Sequence, residues 1–209
     1  MVHKRRIGAE SSETRARIID SAEQVIRDEG YAAASTRRVA AQAGLKPSLV
    51  HYYFPTTEDL LLAVFKRGAE QSDAMIAQAL DSDDPVRALW TFFADASRTS
   101  LAMEFMALAS HRKAISTEIA RHGDTMRRRQ AALFERLMGE RLGEDPSAKA
   151  KGLSLVLAGI GRALVMEHAF GVSEGHAEAR AIVAAWLDHL LTPSEAPSPR
   201  PLDARAEIC

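Results

Sequence analysis

The stretch Ser35 to Phe54, STRRVAAQAGLKPSLVHYYF, limits what this chain can fold into more than any other. It reads as two short helices pinned by a tight turn at Gly44. Val39, Ala40, Ala43, Leu45, Val50 and Phe54 form an inward set, at spacings that suit two crossed helices. Arg37, Arg38, Lys46, Ser48, His51 and Tyr52 are left facing out, and each can meet a phosphate or a base edge. That arrangement is a helix-turn-helix, whose second helix enters the DNA major groove while the first braces the backbone.

The surrounding sequence supplies helix signals on both sides. Ser12 can cap a helix that starts at Glu13 and stops at Gly30, with Ile18, Ala22, Val25 and Ile26 on its apolar face. Thr36 is placed to cap the next helix. Thr56 with Asp59 three positions on forms a capping box for a long helix over 57–80. Asp84 and Pro85 then open another, at cap and first helical positions. Gly143 to Pro146 breaks a helix running from Ile115 to Leu142, and Ser147 is expected to start the next. No sustained alternation of period two is bounded by hairpin turns, so the fold class is all-α.

Charge is uneven. Residues 1–55 hold nine Lys and Arg against six Asp and Glu, while the rest of the chain holds eighteen against twenty-two. A basic front and an acidic body, with a formal net charge of −1, fit local DNA contact by one end and not a coat on nucleic acid. The single cysteine, Cys209, excludes an internal disulfide framework and suits a reducing cytoplasm. The longest apolar run, Leu153 to Ile160, is shorter than a bilayer span, so no membrane association is expected. Residues 1–11, with Lys4, Arg5 and Arg6, read as a flexible basic arm. Residues 192–209 carry four of the eight prolines and read as a disordered tail.

The remaining sequence, 81–191, reads as a helical ligand-binding and dimerisation domain joined to a DNA-binding domain at 12–56. Trp90, Phe93, Met103 and Met106 are candidates for a soft-walled effector cavity, with His111, Met126 and Phe134 added to that set. Residues of this kind at helical spacing also make ordinary core. The last two helices, about 147–171 and 175–191, are apolar around most of their circumference. Leu153, Val156, Leu157, Ile160 and Leu164 on one, and Ile182, Trp186 and His189 on the other, are candidates for a homodimer interface. Gly152, Ala158, Gly159 and Gly161 would allow close helix approach; the alternative is a pair buried wholly inside one subunit. The seven histidines are scattered without metal-ligand spacing, and no phosphate loop or nucleophile elbow occurs, so neither a metal, nor a cofactor, nor an enzymatic role is expected.

Through TRARII, Ala22, Gly30-Tyr31, STRRVA, Ala43-Gly44-Leu45, HYYF and Glu58-Asp59-Leu60, the sequence resembles the TetR (tetracycline-repressor-like) family of bacterial one-component regulators. The resemblance covers about fifty residues of the N-terminal part. It implies an all-α homodimer with two reading heads on a pseudo-palindromic double-stranded operator, released when a small apolar or amphipathic effector binds the C-terminal domain. By position it implies DNA contact from Thr36, Arg37, Pro47, Ser48, Leu49, Tyr52 and Tyr53. Three positions depart from the family pattern. Lys46 replaces a capping serine, His51 replaces a tyrosine, and Thr57 replaces a lysine that anchors phosphate. Loss of one cationic contact lowers the salt dependence by roughly one counterion. A helical dimer that carries ligands or binds partners without DNA is the alternative that these departures motivate.

Overall fold

Side-chain caps set most of the helix starts. The computed structural model describes residues 12–95 and 99–191, and every regular element among them is helical. Ser12 accepts from the Arg15 N–H at 3.1 Å and opens α1 (Glu13–Glu29), which ends at Gly30 with φ 82°. A 3-10 turn at Tyr31–Ala33 leads to α2 (Thr36–Ala43). The cap of α2 is Ser35, which accepts from the Arg38 N–H at 3.3 Å; Thr36, expected there, is instead the first helical residue. In α3 (Pro47–Tyr53) Lys46 stands at the cap position without a side-chain cap, and the fixed φ of Pro47 begins the helix. Thr56 and Asp59 form the expected reciprocal box at the start of α4 (Thr57–Leu80).

Asp84 and Pro85 open α5 (Pro85–Phe93) as anticipated. Then come α6 (Thr99–Ala109), α7 (Lys113–Leu142), α8 (Pro146–Ala169) and α9 (His176–Leu191). The start of α8 differs from expectation. Asp145, at φ 50°, accepts from the Ala148 N–H at 3.1 Å with Pro146 first in the helix, so Ser147 is already inside it. The arm at 1–11 and the tail at 192–209 lie outside the described residues.

Two groups of buried side chains divide these helices. The first joins α1, α2, α3 and the first half of α4 with Leu101, Phe105 and Leu108 of α6 and Ile115 of α7. The second joins Ile76 and Ala79 of α4 with α5, most of α7, α8 and α9. The boundary expected at residue 81 therefore does not separate the cores. Leu101, Phe105 and Leu108 recur at the spacing of one helix face, and that face lies on the reading head.

Packing between α7 and α8 is antiparallel and carries a buried polar pair. Ser154 Oγ donates to Gln130 Oε1 at 2.6 Å, and Arg127 Nη1 donates to Ser154 Oγ at 3.3 Å. Both buried residues are thereby satisfied. By length and composition α8 is the one described helix that could cross a bilayer, with a mean hydropathy of 1.2 and 33% of that window buried inside the fold. The apolar stretch is thus longer than the Leu153–Ile160 run suggested, because small residues extend it on both sides.

Among the glycines expected to permit close approach, only Gly161 meets a neighbour. A Cβ there would lie 2.6 Å from the Phe93 carbonyl oxygen, whereas one at Gly152 or Gly159 would meet nothing within 4 Å. Gly161→Ala is therefore expected to force α5 and α8 apart and destabilise the fold by about 1–3 kcal/mol. Gly139→Ala, inside α7 with no neighbour within 4 Å, should stabilise it by roughly 0.5–1 kcal/mol. Urea denaturation of the two variants checks both signs.

Candidate nucleic-acid interface and ligand cavity

The turn between α2 and α3 is closed by backbone hydrogen bonds that need a left-handed residue. Gly44 has φ 64° and ψ 35°. Its N–H donates to Ala41 O at 3.2 Å, and the Leu45 N–H donates to Ala40 O at 2.9 Å. This is a Schellman motif, and Leu45 packs on the core as the motif's apolar contact. Arg17 Nη2 donates to Ala43 O at 2.6 Å, so α1 satisfies another carbonyl at the end of α2. The angle between α2 and α3 is thus held by hydrogen bonds and by Val39, Ala40, Val50 and Phe54 beneath them.

With that frame fixed, the candidate contacts fall into two sets. Arg37, Lys46, Pro47, Ser48, His51, Tyr52 and Thr57 are exposed. Thr36 and Leu49 are half-buried, as is Tyr53, which packs on the core beneath with its ring edge-on to Tyr52 at 5.2 Å. Gly44, Leu45, Lys46, Ser48, Leu49 and Tyr52 line a shallow open groove along the turn and the front of α3. Arg38, read from sequence as outward and available, is engaged instead: its guanidinium is paired with Glu29 and also donates to Gln42. Arg37 and Lys46 form no ion pair among the described residues.

Behind the reading head lies a cavity of about 400 Å³. Its walls come from α4, α5, α6, α7 and α8, with Arg27 contributed by α1. Phe93, Met106 and Met126 of the sequence candidates line it. Trp90 and Phe134 do not, because both are buried in the second core. Met103 lies outside the lining and His111 is on the surface at the end of α6. Phe65, Phe105 and His122 also line it, and Phe65 packs edge-on to the other two at 5.4 and 6.2 Å. Phe65 and Phe105 were missed because a helix facing two cores gives no single stripe. His122 Nδ1 stands 3.6 Å from Asp73 Oδ1, a buried atom with no hydrogen bond.

Two helices connect this cavity to the reading head. On α4, Arg67 pairs with Asp20 and, at 2.9 Å, with Glu23 of α1. On α6, Glu104 Oε2 accepts from the Tyr31 N–H at 2.8 Å, beside Gly30 at the end of α1. Leu101 and Phe105 flank Glu104, and both serve the reading head's core and the cavity wall.

The candidate dimer residues also separate. Leu153, Leu157 and Leu164 are buried in the subunit's own second core, against which Ile160 packs half-buried. Their stripe faces α7, so they are not on a free surface. Val156, Ile182, Trp186 and His189 are exposed. Leu155 and Met166, on a second apolar face of α8, are exposed too, as are Phe170 and Val172 just after it. Ile182 at 69% and Phe170 at 68% stand out for large apolar side chains.

Residues 18–64 match the family model described as bacterial regulatory proteins, tetR family. The HTH-type transcriptional regulator BetI of Rhizobium meliloti (strain 1021) is 37% identical over 62 residues, 29% of this chain and 30% of the relative. The HTH-type transcriptional regulator CymR of Pseudomonas putida is 31% identical over 130 residues, 58% of this chain and 64% of the relative. The chain thus spans less than two thirds of these curated relatives. Among solved structures, a TetR transcription regulator from Haloarcula marismortui superposes with a TM-score of 0.69 at 21% identity, covering 86% of this chain and 99% of that one. The multidrug binding protein EbrR, complexed with imidazole, superposes with a TM-score of 0.59 at 26% identity, covering 88% and 98%.

The brace between α1 and α4 has a pH signature. Burial disfavours the charged form of Glu23, but hydrogen bonds and charge from Arg27 and Arg67 outweigh it and hold the carboxyl below its ordinary range. A depressed carboxyl pKa contributes stability that is present above the unfolded pKa and lost as pH falls through the folded one. Glu23→Gln should therefore cost stability at neutral pH, and its deficit should shrink as pH is lowered below the ordinary glutamate range. Thermal melts of both proteins from pH 7 to pH 3 test this.

Proposed function

Because the chain belongs to the TetR family of bacterial regulatory proteins through its N-terminal domain, we propose that it is a ligand-responsive transcriptional regulator. It acts as a homodimeric repressor in the cytosol, and a small apolar or amphipathic effector releases it from a palindromic operator. The observation that carries this reading is α6, whose Leu101 and Phe105 belong both to the cavity wall and to the core beneath the recognition helix. A molecule in the cavity touches a helix that also packs under the reading head, and it shifts the head if it binds one placement of α6 better than another.

The geometry supports a division of roles on DNA. The exposed front of α3, from Lys46 to His51, enters the major groove, with Ser48 toward base edges and Lys46 toward phosphate. Arg37 on α2 and Thr57 at the start of α4 reach the flanking backbone. Arg38, held by Glu29, fixes α2 against α1 and is a structural group in this reading. The exposed apolar residues of α8 and α9 support pairing with a second copy, since Ile182, Val156 and Trp186 otherwise face water.

Footprinting on DNA flanking the chain's own gene should show a protected palindrome, its half-sites about one helical turn apart or slightly more. Sequence-independent protection, or none, would overturn the reading. Arg37→Ala and Lys46→Ala should each weaken binding and lower the slope of log affinity against log salt by roughly one. A second expectation concerns coupling. Glu104→Gln leaves a weaker acceptor for the Tyr31 N–H at the α6–α1 junction. It should change the effector-induced loss of operator affinity by about fivefold or more, with effector binding retained. Calorimetry and operator titration of the same variant separate the two quantities.

A further inference from the structure

Most polar groups on the cavity wall are already engaged. Arg27 donates from Nε and Nη2 to Glu23 at 3.1 and 2.8 Å. The Ser72 hydroxyl donates to Gly68 O at 2.9 Å. Asp95, the carboxylate on the wall, has an interaction of its own. Two groups differ. His122 turns Nδ1 toward Asp73, which leaves Nε2 on the opposite edge of the ring. Arg162 lines the cavity and forms no ion pair among the described residues.

The register of α7 against α8 brings these two together. From the Ser154–Gln130 bond, eight residues on along α8 is Arg162 and eight back along α7 is His122. Both face the same cavity. Arg127 adds a second guanidinium to the seam, where it donates to the Ser154 hydroxyl. Burial, and then the positive charge of Arg162, push Arg127 below its ordinary pKa. Arg162 on the wall and Arg127 in the seam behind it place two guanidinium groups on the α7–α8 side, and an anion at Arg162 would offset part of their desolvation cost.

We propose that the cavity takes an amphipathic carboxylic acid, with its carboxylate on the Arg162 guanidinium, level with His122, and its apolar body among Phe65, Phe93, Phe105, Met106 and Met126. The planar fork of a guanidinium matches a carboxylate in two parallel hydrogen bonds, which a hydroxyl cannot accept. The apolar body is what brings the molecule out of water, and the carboxylate selects its class and orientation. This assignment rests on the reading of the cavity as the effector site.

Matched probes test it. 4-Phenylbutyrate and decanoate are titrated by calorimetry into the full chain, beside 4-phenylbutanol, decanol and choline. At least one acid should bind about tenfold or more tightly than its alcohol, and Arg162→Gln should remove that preference while leaving the alcohol's affinity unchanged. Arg162→Lys should recover part of it, as a point charge without the fork. Alcohols binding as well as acids, choline binding best, an unaltered preference in Arg162→Gln, or no binding by either acid would overturn the proposal. Operator release is measured separately. An acid that binds through Arg162 yet leaves operator affinity unchanged would uphold the ligand class and sink the regulatory reading instead.

Discussion

Burial of one face of α6 under the reading head is the constraint on which the rest of the molecule depends. Leu101, Phe105 and Leu108 complete a core that α1, α2, α3 and the start of α4 would otherwise leave open. A helix-turn-helix of this size has little interior of its own, and small domains bury too small a share of their surface to be robust alone. Borrowing a helix from the body solves that problem and also ties the head to a wall of the cavity. The Glu104 bond to the Tyr31 N–H adds direction to the contact, because a backbone donor next to Gly30 is satisfied only while α6 keeps its place.

The reading head separates groups that hold it together from groups that remain available. Arg17, Arg38 and Arg67 are all committed: one to the Ala43 carbonyl, one to Glu29, one to Asp20 and Glu23. Arg37, Lys46 and Ser48 lie on the surface. The distinction matters because adjacent arginines in the sequence, Arg37 and Arg38, have opposite fates. On the proposed reading, a rigid α1–α2–α3 frame with exposed cations on one side would give phosphates fixed partners at little further cost in side-chain ordering.

Much of this was legible in the sequence, and the failures share a cause. Caps at Ser12, Thr56 and Asp84, the turn at Gly44 and the inward set of the helix-turn-helix are local, set by residues within one or two turns of each other. Periodicity finds a helix, but it cannot say which of two neighbours a face will meet. The pattern thus leaves Trp90 and Phe134 open between cavity and core, and Leu153, Leu157 and Leu164 open between a partner chain and their own subunit; all five serve the second core, while α6 serves the first core and the cavity wall. Arg38 is the same failure in polar form, since Glu29 lies nine residues away across a turn. The shifted caps follow rules the sequence already offers: serine caps better than threonine at Ser35, and Asp145 before Pro146 repeats the pattern of Asp84 before Pro85.

What α8 and α9 leave exposed follows from the same geometry. One stripe of α8 is used up against α7, and Gly161 lets α5 approach its backbone on a second side. The remaining side holds Leu155 and Val156, with Ile182 and Trp186 on α9. None of these can turn inward without withdrawing Leu157 or Leu187, both fully buried, from the core. Side chains of that size clustered toward water on two adjacent helices favour cover by a second copy of the same surface. A two-fold axis there would fix the distance between two reading heads, and the α6 contact that stiffens each head would then act on the spacing of both.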